Sequence, residues 1–277
     1  MKPLEGIKVV NLAINLPGPA AARRLYQLGA RVTKIEPPGG DPMARFNTMF
    51  YENLNAGHNV FTVNLKSPEG RQRLDEELQD CDLLITANRP AALQRLGLGW
   101  EGLHAKFPRL CQVAIVGYPS PMENEPGHDL TYQAKIGLVH PPHMPRTLIA
   151  DMAGAEKTVT EGLALLLARE MGRGSGYRSV ALSEAADYMA EPWKVGFSTP
   201  GGLVGGALPE YNLYETSDGW VAVAALEPHF RKAFYAELEC SPGSVEELQP
   251  VFLTRSAGDW EAWARQRDLP VVAVKVT

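Results

Sequence analysis

His128 and Asp151 are the residues whose types and spacing best suit proton-transfer chemistry. His128 lies in Pro126-Gly127-His128-Asp129-Leu130-Thr131-Tyr132-Gln133-Ala134, which reads as a glycine-anchored turn carrying an imidazole. Asp151 lies in Leu148-Ile149-Ala150-Asp151-Met152-Ala153-Gly154, a lone carboxylate after an apolar triplet and ahead of a long apolar stretch. An imidazole and a carboxyl group held near each other form two proton-transfer groups of different basicity. Each also has a purely local reading. His128 suits a turn bonded to its neighbour Asp129, and Asp151 suits the N-cap of the helix that follows.

The elements that must position these groups alternate along the chain. A strand over 7–12, a helix over 20–28 stopped by Gly29 and a strand over 31–36 form a β-α-β unit with a crossover long enough for parallel strands. Asn15-Leu16-Pro17-Gly18-Pro19 reads as the turn after the first strand. It lacks the Gly-x-Gly-x-x-Gly spacing of a dinucleotide site. Strands are expected over 59–65, 82–86 and 110–116, separated by a helix that Ser67-Pro68-Glu69 opens and another over 91–96. The apolar stretch 158–170 predicts a buried helix. A strand over 178–182 and a helix start over 184–189 follow it. The Gly-rich run 199–206 reads as a flexible linker, so the expected division is 1–198 and 199–277. Beyond it come a hairpin around Ser217-Asp218-Gly219, helices from about 228 to 238 and 259 to 267, and a strand over 271–276. The expected fold class is α/β: an open, doubly wound, mostly parallel sheet in a large domain, with a smaller α+β domain.

Composition limits the function classes. The 277 residues are 45% hydrophobic and 21% charged, ordinary for a globular protein. A net charge of −5 gives no argument for nucleic acid, so local basic positions must hold any anion. Three widely spaced cysteines argue against a disulfide framework or a zinc cluster and fit a reducing cytoplasm. The N-terminal residues show no signal or transit peptide features, and no apolar run reaches membrane-spanning length. The expectation is a cytoplasmic protein without membrane or nucleic-acid partners. His140 and His143, in a Pro-rich loop, read as surface residues, and no metal site is expected.

A series of ordered blocks resembles one family, the class III coenzyme A transferases and the α-methylacyl-CoA racemases that share their fold. The blocks are Pro3-Leu4-Glu5-Gly6-Ile7-Lys8-Val9-Val10, the run from Gly29 through Lys34-Ile35-Glu36-Pro37-Pro38-Gly39-Gly40-Asp41, and Leu65-Lys66-Ser67-Pro68-Glu69-Gly70. They continue with Asn88-Arg89-Pro90, Arg95-Leu96-Gly97-Leu98-Gly99, Gly127-His128-Asp129 and Ala225-Leu226-Glu227-Pro228-His229-Phe230. The resemblance covers nearly the whole chain. It implies an acyl-CoA thioester as substrate, no prosthetic group and an interlocked homodimer. Both branches of the family use an Asp at the position of Asp151, as nucleophile in the transferases and as one proton-transfer group in the racemases. The other racemase group is a His at the position of His128, paired with a Glu at that of Glu227. With all three present, the chain resembles the racemase branch.

The resemblance gives Asn64, Leu65, Lys66, Asn88, Arg89, Arg95, Gly127, Asp129, Leu130, Thr131 and Tyr132 to the coenzyme and thioester, with Arg23 and Arg45 as further cations for phosphate. The backbone N–H of Met152 or of Gly154 is a candidate donor to the enolate oxygen. An apolar pocket from Tyr132, Leu138, Met152 and Phe230 would suit a branched or fatty chain. The sequence also departs from the family pattern. His58 stands where Lys or Arg is usual, Asn64 replaces Asp, and Tyr118-Pro119-Ser120 replaces a second glycine loop. Family members usually run for several tens of residues past the position of Thr277, so a C-terminally shortened member is expected, its return segment largely absent. The expected function is an acyl-CoA racemase or epimerase. The alternatives are a class III transferase with Asp151 as nucleophile, and a non-catalytic member that binds acyl-CoA or a protein partner.

Overall fold

The computed structural model describes residues 1–241 and 243–275, which form two compact units, Met1–Ala190 and Glu191–Thr277. In the first unit the elements run β1 (Lys8–Asn11), α1 (Pro17–Gln27), β2 (Arg31–Glu36), α2 (Met43–Phe46), α3 (Thr48–Asn55), β3 (Asn59–Thr62), α4 (Pro68–Leu78) and β4 (Leu83–Thr86). They continue with α5 (Pro90–Arg95), α6 (Trp100–Lys106), β5 (Cys111–Val116), α7 (Asp129–Lys135), α8 (Ile149–Ala168), β6 (Tyr177–Ala181) and α9 (Leu182–Met189). The six strands form one parallel sheet in the order β3-β2-β1-β4-β5-β6. Helices cover both faces. On one side Ala21, Ala22 and Leu25 of α1 and Val159, Leu165 and Leu166 of α8 pack on Val9, Leu83, Ile85 and Val113. On the other, Leu74 and Leu78 of α4 and Leu93 of α5 pack on Val10, Ile35 and Leu84. Strands buried on both faces need continuous apolar runs, and β4 and β5 supply them. The fold is the open doubly wound sheet that the strand–helix alternation predicts.

Local signals set several boundaries. Gly29 ends α1 at φ +108°, a conformation other residues adopt only with strain. Ser67 caps α4 by accepting from the Gly70 N–H at 3.1 Å. α1 begins inside the turn expected at 15–19, three residues ahead of the expected helix start at 20, because Pro17 occupies the first helical position, where a missing N–H costs nothing.

The largest departure from expectation is α8. It spans 20 residues from Ile149, not 158–170, so Asp151 lies inside its first turn rather than at an N-cap. The residue at the cap is Leu148, which offers no side-chain acceptor. The acceptor is distant in sequence: Asp129 Oδ2 takes the Asp151 N–H at 3.0 Å. Nor is α8 buried all round. Small residues Ala150, Ala153, Gly154 and Ala155 bury one side, while Met152 and Leu167 are exposed.

The second unit contains α10 (Glu191–Lys194), β7 (Tyr211–Glu215), β8 (Trp220–Ala224), α11 (Pro228–Glu237), α12 (Val245–Phe252), α13 (Ala257–Arg265) and β9 (Val271–Ala273). The hairpin β7–β8 is extended by β9 into a three-stranded antiparallel sheet over a core of Tyr214, Phe234, Phe252 and Trp260. Val276, expected in the last strand, lies outside the described residues. The Gly-rich run 199–206 is not an open linker: backbone bonds such as Gly202 N–H to Thr199 O at 2.7 Å and Val204 N–H to Phe197 O at 3.0 Å close it into compact turns. No helix among the described residues is long and apolar enough to cross a membrane.

Candidate active site

The strand order reverses between β1 and β4, so the loops leaving these strands diverge and open a crevice at the carboxyl ends of the sheet, the place where open α/β folds bind ligands. A cavity of about 470 Å³ lies there, within the first unit. Its wall includes the segments after β1 (Asn15), β2 (Glu36), β3 (Asn64, Leu65, Lys66), β4 (Asn88, Arg89) and β5 (Gly117), together with Gly127, His128, Tyr132 and Asp151. Residues far apart in sequence meet because each directly follows, or packs against, the end of a parallel strand.

Each group is held by its local chemistry. After β3 the chain turns sharply: Asn64 Oδ1 accepts from the Lys66 N–H at 3.1 Å, and Ser67 Oγ donates to Asn64 O at 3.2 Å. A Cβ on Gly70 would sit 2.0 Å from Asn64 O, so only glycine lets α4 start this close. His128 is the N-cap of α7, and Thr131 clamps its backbone on both sides. The Thr131 hydroxyl donates to His128 O at 2.8 Å and accepts from His128 N–H at 3.0 Å. Thr131 thus fixes where the imidazole leaves the chain.

Asp129 and Asp151 are coupled. Asp129 is buried, Gln133 Nε2 donates to its Oδ1, and its Oδ2 holds the Asp151 N–H. Burial, and then the charge of Asp129, push the Asp151 carboxyl up to about 7. A carboxyl group in that range exchanges a proton near neutral pH. Removing one charge should relax it. Asp129→Asn is expected to lower the Asp151 pKa only in part, because burial, the larger cause, remains. The limb of the activity profile that Asp151 sets, the alkaline one where it serves as proton donor, then moves to lower pH, and a limb that stays in place would show that Asp129 does not act on Asp151 electrostatically.

Of the residues singled out in the sequence, Asn64, Leu65, Lys66, Asn88, Arg89, Gly127, His128, Tyr132 and Asp151 line the cavity. Asp129, Leu130, Thr131 and Arg95 do not: Asp129 and Thr131 stand behind it as supports, and Leu130 and Arg95 are exposed. Glu227 belongs to the second unit, exposed at the N-cap of α11 with no side-chain cap bond. Phe230 belongs to that unit too, and Leu138 and Met152 lie off the cavity wall. Asn15, Glu36, Glu123 and Glu125 line the cavity unannounced. For Asn15 and Glu36 the signal was their place at the end of a strand. Asn15, at φ +65°, gives its N–H to Asp41 Oδ1 at 2.9 Å. His58, one of the departures, has both ring nitrogens buried without a hydrogen-bond partner among the described residues, and burial together with Lys34 lowers it to about 4, so it stays neutral at physiological pH.

A doubly wound sheet with a cavity at its switch point, carrying an imidazole and a shifted carboxyl group, defines an α/β enzyme-like domain. The sequence pattern of CoA-transferase family III matches residues 4–276, and the chain belongs to that family. It is 28% identical over 256 residues to succinyl-CoA:glutarate CoA-transferase from Mus musculus, covering 81% of this chain and 57% of that protein. It is 30% identical over 245 residues to alpha-methylacyl-CoA racemase from Homo sapiens, covering 82% of this chain and 62% of that one. The chain thus spans less than two thirds of the length of these two relatives. A crystal structure of a hypothetical protein from Mycobacterium tuberculosis superposes with a TM-score of 0.86 at 22% identity, covering 100% of this chain and 85% of that one.

Proposed function

We propose that this protein inverts the α-carbon of a 2-methylacyl-CoA thioester by two-base proton transfer. One observation carries the reading: His128 and a carboxyl group poised near neutral, Asp151, line the same cavity. A nucleophilic carboxylate works best fully ionised, whereas a proton-transfer group works best with a pKa near the operating pH. The value of about 7 for Asp151 favours the second role.

In one direction His128 takes the α-hydrogen as a proton, and the C–H electron pair moves to the carbonyl oxygen to give an enolate. Protonated Asp151 then delivers its proton to the opposite face of the α-carbon. His128 is left protonated and Asp151 ionised, and exchange with solvent resets both. Lys66 and Arg89 supply cations for the coenzyme phosphates, with Arg95, Arg23 and Arg45 as further candidates; Asn64, Leu65 and Asn88 belong to the coenzyme site, and Gly127 to Tyr132 flank the pantetheine and thioester. The role that the resemblance gives Glu227, and the homodimer, belong to the same proposal.

The transferase reading keeps one specific support: relatives include a succinyl-CoA:glutarate CoA-transferase, and Asp151 carries the carboxyl group that an acyl-aspartyl intermediate needs. The experiment is α-deuterium incorporation into a 2-methylacyl-CoA in heavy water, read by mass spectrometry. Exchange is expected, and it should collapse in the His128→Ala, Asp151→Asn double variant. Exchange that survives the double variant overturns the mechanism. Absent exchange with hydroxylamine-trapped label on Asp151 replaces it with acyl transfer, and absent binding leaves the non-catalytic reading.

A further inference from the structure

Tyr132 is a phenol built into a slot. It lies four residues after His128, the N-cap of α7; its N–H donates to His128 O at 3.2 Å, and both residues line the cavity. Its side chain is only 2% exposed and packs edge-on against Tyr118, ring centroids 5.2 Å apart. Two glycines make room for it. A Cβ on Gly117 would lie 2.4 Å from the Tyr132 hydroxyl oxygen, and one on Gly127 would lie 2.5 Å from its ring and 2.6 Å from that oxygen. No real Cβ tolerates such distances, so the phenol tip sits where the loop after β5 and the turn before His128 both give up their side chains.

The hydroxyl makes no hydrogen bond to a protein group among the described residues, although the ring carrying it is buried. The oxygen itself is not sealed off: it keeps contact with the cavity that Tyr132 lines. A hydroxyl placed there has its donor free for a bound ligand. The neighbours of Tyr132 are the two groups assigned to the chemistry, His128 on its own helix and Asp151 on α8, whose charge acts on the phenol. Burial, then Tyr118, Asp151 and Asp129, push the phenol up to about 12, so it remains a donor throughout the physiological range.

We propose that the Tyr132 hydroxyl donates a hydrogen bond to the thioester carbonyl oxygen of the bound acyl-CoA and holds the negative charge that develops there. This rests on the acyl-CoA reading of the cavity. It applies to either reaction, because an enolate and the tetrahedral intermediate of acyl transfer both place charge on that oxygen. A donor aimed at developing charge inside a water-poor site is worth more than one in water, and losing it typically costs about 10²–10³-fold in turnover.

Tyr132→Phe tests it, since Phe keeps the ring between the two glycines and removes only the donor. The first readout is binding, followed by calorimetry with two probes: an S-(2-oxoalkyl)-CoA, which has a carbonyl, and an S-alkyl-CoA, which lacks one. The wild-type protein should prefer the carbonyl probe by about tenfold, the value of one good hydrogen bond, and Tyr132→Phe should lose that preference while binding the alkyl probe equally well. An unchanged preference overturns the proposal. If neither probe binds the wild-type protein, the acyl-CoA reading falls and this inference with it. The second readout is turnover: kcat should fall about 10²-fold or more, KM should rise by no more than the tenfold lost in binding, and the limb of the pH profile that Asp151 sets should stay in place. A rate within about threefold of wild type overturns the proposal. So does a loss that appears as a shift of the limb set by Asp151, which would make the phenol a partner of Asp151 instead.

Discussion

Asp151→Asn lowers turnover by about 10²–10⁴-fold and, at pH 8, makes the folded protein more stable. The rate loss is expected in either chemistry, since Asp151 is the proton donor in one and the nucleophile in the other. The gain in stability follows from where the carboxylate sits. Its N–H is held by Asp129, so two carboxyl groups meet at the first turn of α8, one of them buried. The helix N-terminus favours negative charge by about 0.3–1 kcal/mol, but burial and like-charge repulsion win, as the upward shift to about 7 records. The direction with pH is then fixed. The unfolded carboxyl titrates near 3.8 and the folded one near 7, so between those values the native state holds a proton that the unfolded chain has released. Stability therefore falls as pH rises through that window, by up to about 1.4 kcal/mol per pH unit, and the whole penalty is present above it. Asn carries no charge and escapes it. Urea unfolding of both proteins from pH 4 to pH 8 should show the variant gaining on the wild type as pH rises. Parallel curves, or a variant less stable at pH 8, would contradict the electrostatic account of Asp151.

Lys34→Met destabilises the first unit by about 3–5 kcal/mol, the usual cost of stripping one partner from a buried ionic group. The Lys34 ammonium is fully buried between Asp41 Oδ2 at 2.5 Å and Glu36 Oε1 at 3.1 Å, and lies over the Tyr51 ring, 4.8 Å from its centroid. Met fills much the same volume, so packing changes little and the loss is electrostatic: Asp41 and Glu36 remain buried with no cation. The damage reaches the cavity. Asp41 Oδ1 holds the Asn15 and Met43 N–H groups at 2.9 Å each, Tyr51 donates to Glu36 Oε1 at 2.8 Å, and both Asn15 and Glu36 line the cavity wall. For a unit of this size the melting temperature should drop by roughly 6–20 °C, with weaker coenzyme A binding. The triple change Lys34→Met, Asp41→Asn, Glu36→Gln removes the stranded charges and should recover most of the stability. A triple variant as unstable as the single one would show that shape, not charge, is what Lys34 contributes.

The sequence by itself determined the sheet and singled out His128 and Asp151, which the fold brings to one cavity. The strands are short runs of β-forming residues, mostly apolar at the sheet centre and mixed in β2, β3 and β6, and these signals are local, so β1 to β6 and their alternation with helices were legible. Parallel strands bring their carboxyl ends to one edge, so residues following strands, such as Asn64, Lys66, Asn88 and Arg89, share a cavity once the sheet forms. What only the tertiary structure decided are the properties that depend on residues remote in the chain. The start of α8 was illegible because its cap acceptor is Asp129, 22 residues earlier, and no local residue advertises it. Burial first, and the same Asp129 second, raise Asp151, which in isolation reads as an ordinary carboxylate. Lys34 reads as one polar position in a strand, and only the approach of Asp41 makes it the centre of a buried cluster. The slot for Tyr132 exists because Gly117 and Gly127 meet across it, one after β5 and one before α7. Periodicity and capping are encoded in neighbours, whereas burial, proton affinity and the aim of a hydroxyl are set by whatever the folded chain brings against them.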